Sequence, residues 1–261
     1  MDLELNDKVI LVTGGAGLTG SIGEVIVRHI ANEGGIPVII DISDRGRDLA
    51  SELSRQGKES LFVQADLTSR EGCQQAVIQA VDKYGRVDGL VNNLGINDGV
   101  GFEDSYEAFM DSLKLNLVHF FEVTKTALPH LKESSGPILN IASKVALTGQ
   151  GGTSGYAAAK GGVLALTREW ALELRESDIR VNAIIIAESF TPGYKEWLST
   201  FDQPEQKKKT ITDKIPLGRR MTRPAEIADT ALFLLSPRSS HTTGQFIHVD
   251  GGYVHLDRAI S

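Results

Sequence analysis

The sequence predicts a doubly wound α/β fold: a single domain built on seven parallel strands, with helices on both faces of the sheet. Three observations predict it. Short apolar runs alternate with longer amphipathic stretches along the chain. The runs show little polar alternation, as expected of strands covered on both faces. No linker, repeat or low-complexity tract divides the 261 residues. A βαβ repetition of this kind calls for parallel strands joined by right-handed crossovers.

Taken in order, the strand-like runs are 8–13, 37–41, 60–64, 88–92, 137–142, 179–186 and 245–249. The first, with Val9-Ile10-Leu11-Val12 at its heart, leads straight into a glycine-rich turn. The second closes on Asp41, and Asp66 follows the third. The fourth runs into Asn92-Asn93-Leu94-Gly95, and Ser143 follows the fifth. Helical patterns lie near 20–33, 44–56, 69–83, 103–132, 153–176 and 224–235. The pattern from 153 carries Val163, Leu164, Leu166, Trp170 and Leu174, more apolar surface than one sheet-facing stripe requires, which suggests a second buried face. The stretch 187–223 is too long for an ordinary connection and is expected to be a substrate loop or lid.

Composition sets the outer bounds. Apolar residues make up 41% and charged residues 23%, ordinary for a globular chain with a sizeable core. No apolar run reaches the ~20 residues of a membrane span, and Met1-Asp2-Leu3-Glu4 lacks a secretory start. The lone Cys73 excludes an internal disulfide and a thiolate metal site, so a reducing cytoplasm is expected. A net charge of −7 argues against nucleic acid or anionic membrane as the main partner. The basic run Lys207-Lys208-Lys209 is offset by Asp202, Glu205 and Asp213. The six histidines show no metal-binding spacing, so no metal is expected.

Motifs supply the chemistry. Thr13-Gly14-Gly15-Ala16-Gly17-Leu18-Thr19-Gly20-Ser21-Ile22-Gly23 lies between the first strand and its helix. Glycines there let backbone amides approach a pyrophosphate at a helix N-terminus. Asp41 follows Gly23 at close to the ~20 residues expected of an acid bonding an adenosine ribose. Its charge would repel a 2′-phosphate, which favours NAD; Arg45 and Arg47 keep NADP open. Further on, Tyr156-Ala-Ala-Ala-Lys160 places a phenol and an ammonium on one helix face, with Ser143 upstream. A free tyrosine, with a pKa near ~10, is a poor base at neutral pH, and a nearby cation favours its phenolate.

Together these motifs resemble the short-chain dehydrogenase/reductase family over nearly the whole chain, and so imply a Rossmann-type fold. Asn116, Ile215-Pro216-Leu217-Gly218-Arg219, Pro224-Ala225-Glu226-Ile227-Ala228 and Val249-Asp250-Gly251-Gly252 add to the likeness. The resemblance implies that Tyr156 is the acid/base and that Lys160 lowers its pKa and holds the nicotinamide ribose. It also implies that Ser143 bonds the reacting oxygen and that Asn116 keeps a water in the proton relay. For the cofactor it implies Gly14, Gly20, Ser21, Ile22, Gly23, Asp41, Asp66, Leu67, Asn93 and Gly95, together with Tyr156 and Lys160. Two departures stand out. The last glycine of the opening motif comes three residues late, with Ser21 in a glycine's aligned place, and Ile186-Ala187-Glu188 replaces the usual Pro-Gly pair.

The loops 94–102, 144–155 and 187–223 hold Asn97, Asp98, Lys144, Gln150, Glu188, Tyr194, Lys195 and Trp197, a polar set with two aromatic surfaces. Such a set suits a sugar. Ser143, Gln150, Glu188 and Trp197 are the candidate substrate residues. The stretches 188–200 and 215–221 and the tail resemble the L-fucose dehydrogenase group, which implies oxidation of an anomeric hydroxyl to a lactone. The tail 252–261 is expected to cross a subunit boundary toward a neighbour's cleft. A 3-oxoacyl carrier-protein reductase using NADPH is the competing enzyme, with Arg219, Arg220 and Arg223 as its basic patch. A nucleotide-binding regulator without turnover is the reading from another class, and Asn116, Ser143, Tyr156 and Lys160 together oppose it. The resemblance also implies a homotetramer or homodimer formed through the helices at 103–132 and 153–176.

Overall fold

The computed structural model describes residues 2–256, and everything below concerns those residues. Seven parallel strands form one sheet in the order β3-β2-β1-β4-β5-β6-β7. They are β1 (Val9–Thr13), β2 (Ile36–Asp41), β3 (Leu61–Gln64), β4 (Gly89–Asn92), β5 (Ile138–Ser143), β6 (Val181–Ile186) and β7 (Phe246–Val249). Strand alternation sorts the side chains into two cores. Val9 and Leu11 of β1, with Val38 and Ile40 of β2, face one layer; Ile10, Val12 and Ile39 face the other. The first layer is covered by α3 (Arg70–Tyr84), α5 (His119–Ser134) and α7 (Ser154–Glu173). The second is covered by α1 (Ile22–Asn32), α2 (Arg45–Arg55) and α10 (Pro224–Leu235). The doubly wound single domain is therefore as expected.

Strand order reverses between β1 and β4, whose carboxyl ends open a crevice of the kind that binds ligands in such sheets. Three local features differ from the sequence reading. The helix expected over 103–132 is divided into α4 (Tyr106–Leu113), a π-helical turn at Lys114–Val118, and α5. The turn brings no glycine or proline into the run, so the sequence shows no break between the two helices. The stretch 187–223 is not a plain loop, since it holds α8 (Pro192–Ser199) and α9 (Pro204–Thr212). Each begins on a proline, whose fixed φ suits the first helical position. A bridge between Ser189 and Thr222 closes the two ends of this excursion. A short α6 (Val145–Thr148) also follows β5.

The apolar surplus of α7 finds its cover within the chain. Val163, Leu164, Trp170 and Leu174 are buried in this chain's own core, so they do not require a neighbour. What stays open on these helices is Val118, Phe121 and Leu172.

Candidate active site

The turn after β1 is shaped by what its glycines exclude. Gly14 sits at φ +65°, and a Cβ at Gly23 would lie 2.1 Å from the Gly14 carbonyl oxygen and 2.5 Å from Asn93 Nδ2. Asn93 Nδ2 donates to the carbonyls of Thr13 (2.9 Å) and Gly14 (3.1 Å). Thr13 Oγ1 in return accepts from the Asn93 and Leu94 amides. The glycine turn and the end of β4 are thus locked together across the crevice. Ser21 is the N-cap of α1, yet its side chain caps nothing, and Oγ is buried without a partner. The first-turn amides of α1, at Ile22 and Gly23, have no intrahelical acceptor. A pyrophosphate fits this cradle: its charge meets the helix N-terminus and its oxygens satisfy Ser21.

The late glycine has a local cause. Gly20, at φ +89°, turns its amide onto Glu24 Oε2 at 3.0 Å. Glu24 is 4% exposed and pairs with Arg28, which is bidentate to Glu52 at 2.8 and 2.7 Å. The widened turn is therefore held by the chain's own carboxylate. Asp41, at the tip of β2, accepts the Ala16 amide at 2.9 Å and the Ser43 amide at 3.0 Å. Asp66 is exposed, accepting from the Thr68 amide and hydroxyl, while Leu67 beside it is buried.

Gly95 links this end to the second cluster. A Cβ there would come 2.9 Å from Lys160 Nζ and 3.1 Å from Asn116 Oδ1. Asn116 lies in the π-turn, fully buried, accepting from the Ile96 amide (2.7 Å) and donating to the Ser112 carbonyl (3.1 Å). Lys160 is 2% exposed; Nζ donates to the Ile141 carbonyl at 2.9 Å and stands 5.6 Å from the centre of the Tyr156 ring. Burial brings its ammonium down to about 7. Tyr156 is pushed up to about 12, chiefly by burial; a hydrogen bond with Ser143 opposes this and the Asp98 carboxylate adds to it. The downward pull on the phenol thus comes from Ser143, and Lys160 spends its bond on β5 instead. Ser143, Tyr156, Lys160, Asn116 and Gly95 are nonetheless brought to one place.

On the substrate side the candidates separate. Gln150 is exposed, Trp197 is 44% exposed on α8, and Glu188 is buried at 8%. Glu188 bonds Lys144 through one oxygen and the Tyr194 hydroxyl through the other. Tyr194 is driven above the ordinary phenol range by burial and by Glu188. Lys144 also stands 4.4 Å from the centre of the Tyr253 ring, so the start of the tail packs on its own chain. Residues 257–261 of the tail lie outside the described residues.

Sequence reasoning missed His119. It is 1% exposed beside the π-turn, and burial, with Lys160 adding, pushes its imidazole down to about 3. It is therefore neutral and within the electrostatic reach of Lys160. The signal available was a lone histidine three residues after Asn116, too weak to single out. Glu24 and Thr13 were missed for the same reason, being ordinary residue types in ordinary places. Among the described residues, no group of three or more His, Cys, Asp or Glu is placed to hold a metal, and no helix is long and apolar enough to cross a membrane.

A dinucleotide cradle at the β1–β4 crevice, facing a tyrosine, serine and buried lysine, defines a nicotinamide-dependent oxidoreductase. The chain belongs to the short-chain dehydrogenase/reductase family, and the family profile described as enoyl-(acyl carrier protein) reductase matches residues 15–254. It is 38% identical over 256 residues to the 3-oxoacyl-[acyl-carrier-protein] reductase FabG of Thermotoga maritima, covering 97% of this chain and 100% of that one. It is 36% identical over 247 residues to the L-fucose dehydrogenase of Bos taurus, covering 94% and 88%. Among solved structures it is similar to Cj0485 dehydrogenase, with a TM-score of 0.93 and 44% identity over 100% of this chain and 99% of that one.

Proposed function

We propose that the protein oxidises a sugar, taking hydride from the anomeric C1 hydroxyl of L-fucose or a related aldose to give the lactone, with NAD as acceptor. The observation that carries this reading is the grouping of Ser143, Tyr156 and Lys160 beside Gly95, with the polar pair Lys144–Glu188 next along the chain from Ser143. The likeness to L-fucose dehydrogenase supports the sugar. The bound nicotinamide would accept the hydride and lend positive charge beside the phenol.

The chain's own groups do the rest. Ser143 holds the substrate oxygen and Tyr156 takes its proton, because hydride leaves the carbon only as that oxygen loses its proton. Lys160, held by Ile141 and buried to a pKa of about 7, is suited to pass that proton onward, with Asn116 positioned beside it across Gly95. Asp41 favours NAD over NADP. Of the two cations that keep NADP open, Arg47 is paired with Asp44 at 3.2 Å, whereas the Arg45 guanidinium is not paired among the described residues and is the one to remove in testing this preference. The excursion at 187–223 serves as a lid. Exposed Val118, Phe121 and Leu172 support assembly through α5 and α7 into a homotetramer or homodimer, which light scattering would test.

The second reading, a 3-oxoacyl carrier-protein reductase using NADPH, is favoured by the Thermotoga maritima relative. Against it, Arg220 and Arg223 of the expected basic patch are both paired with Glu226. Initial rates with L-fucose plus NAD, against an acetoacetyl thioester plus NADPH, decide between them. A rate only with the thioester overturns the sugar reading.

A further inference from the structure

Glu188 stands where the chain departs from the family pattern after β6, and two other segments bond its carboxylate while a third packs on one of them. Lys144, at the end of β5, bonds one oxygen; Tyr194, in the first turn of α8, donates to the other. Tyr253, beyond β7, lies under the Lys144 ammonium. The Lys144 and Glu188 side chains are only 12% and 9% exposed. A carboxylate buried this deeply persists only when both oxygens and the opposite charge are satisfied together. Its backbone is fixed as well, since the Glu188 carbonyl accepts the Thr222 amide at 2.9 Å and Phe190 donates to the Thr222 carbonyl at 3.0 Å. Both oxygens of Glu188 are engaged within the chain, which gives it a role that does not depend on a sugar hydroxyl.

We propose instead that Glu188 is a positioning residue that pins helix α8, and with it Trp197, over the substrate side of the cleft. The excursion's own apolar cluster is small: Leu198, Ile215 and Met221 are its fully buried members, whereas each sheet-facing core holds more than twenty. A segment with so little apolar cover sits at the low-stability end of a fold, and its place is decided by specific bonds. Tyr194 is the bonded end of α8, and its ring meets Trp197 edge-on at 5.2 Å. Fixing the phenol therefore fixes the indole one turn further along the helix. The charged link takes over the stiffening role that a Pro-Gly pair would otherwise have at this turn. The part of the proposal concerning substrate rests on the reading that the cleft above Ser143 and Tyr156 receives it.

The test uses the full-length protein with Glu188→Gln and Tyr194→Phe. The second deletes only a hydroxyl and leaves the Lys144–Glu188 pair intact, so it tests the pin even if the first fails to fold. Hydrogen exchange is followed peptide by peptide, and KM and kcat are measured with any alcohol that the wild type oxidises. Exchange at 192–199 should quicken at least about tenfold, the factor expected for a lost hydrogen bond to a charged group, while β1, β4 and β5 keep their protection. KM for the alcohol should rise by more than kcat falls. Unchanged exchange at 192–199 in Tyr194→Phe would overturn the proposal, as would an equal loss of protection across the whole sheet. The exchange readout needs no substrate. A wild type inactive on sugars would therefore sink the sugar reading alone, leaving the pin to be judged by exchange.

Discussion

Replacing Gly23 by alanine sets two effects of opposite sign against each other, and the structure decides between them. Alanine in place of glycine inside a helix favours the fold by up to ~1 kcal/mol. At position 23, however, the new Cβ would lie 2.1 Å from the Gly14 carbonyl oxygen, against at least 3.4 Å for an ordinary contact, a shortfall of 1.3 Å. The obstructing atom is backbone, tied to Asn93 by a bond at 3.1 Å, so it cannot swing aside as a side chain would. Overpacking of this kind costs ~1–3 kcal/mol. A clash this close with backbone belongs at the upper end, so the net should be a loss of ~2 kcal/mol, or several degrees in Tm at the ~2–4 °C per kcal/mol typical of a chain this size. Because the displaced atoms belong to the turn proposed to cradle the pyrophosphate, NADH affinity should fall ~10–100-fold, which is ~1.4–2.8 kcal/mol of binding. Gly161→Ala is the control: it is also helical, but a Cβ there meets nothing within 4 Å, so stability should stay level or rise by ~0.5–1 kcal/mol. Calorimetry and an NADH fluorescence titration read both quantities. If Gly23→Ala melted at or above the wild-type temperature and bound NADH equally well, the steric reasoning would be wrong.

Further outcomes follow from the same geometry. Tyr156→Phe should fold and retain NADH while losing turnover by ~10²-fold or more, as expected when a positioned acid/base is removed, and single-turnover absorbance at the nicotinamide band checks this. Lys160 has a folded value of about 7 against 10.5 in the unfolded chain. Between those limits the unfolded chain holds more proton, so wild-type stability relative to Lys160→Met should rise with pH; below about 7 the burial penalty is fully present. Urea unfolding of both proteins across that range checks the sign, and a difference independent of pH would refute it. Asp41→Ala should lower the preference for NAD over NADP by ~10-fold or more through loss of the repelling charge, read as the ratio of kcat/KM values.

Much of this molecule was legible before its structure. Strand periodicity located all seven strands to within two residues at the ends that matter here, because runs such as Val9 to Val12 have no polar member to confuse the pattern. That Gly14, Gly23, Asn93 and Asp41 would meet around one turn was legible because glycine spacing and strand ends set their places. Geometry that depends on distant partners was not. The π-turn at Asn116 changes backbone register with no glycine or proline to mark it. Glu188 looked like a free loop acid because its partners, Lys144 and Tyr194, are separated from it by a strand crossover and by a turn. Lys160 was expected to act on the Tyr156 phenol; its bond to Ile141 is set by the approach of β5, which no local spacing encodes. His119, beside the π-turn, gave too weak a signal, since a buried histidine and an exposed one are the same letter.

The Gly20–Glu24 hydrogen bond has a practical meaning for anyone wishing to alter which nicotinamide cofactor this protein prefers. Shortening the turn to the customary glycine spacing would remove the amide that Glu24 holds and leave an acid beside the anion seat with only Arg28 to answer it. Such a redesign would have to change Glu24, Arg28 and Glu52 as a set, because the chain that stiffens the turn reaches across to the next helix. Grafting basic residues onto the loop after β2 while leaving that trio in place avoids the difficulty.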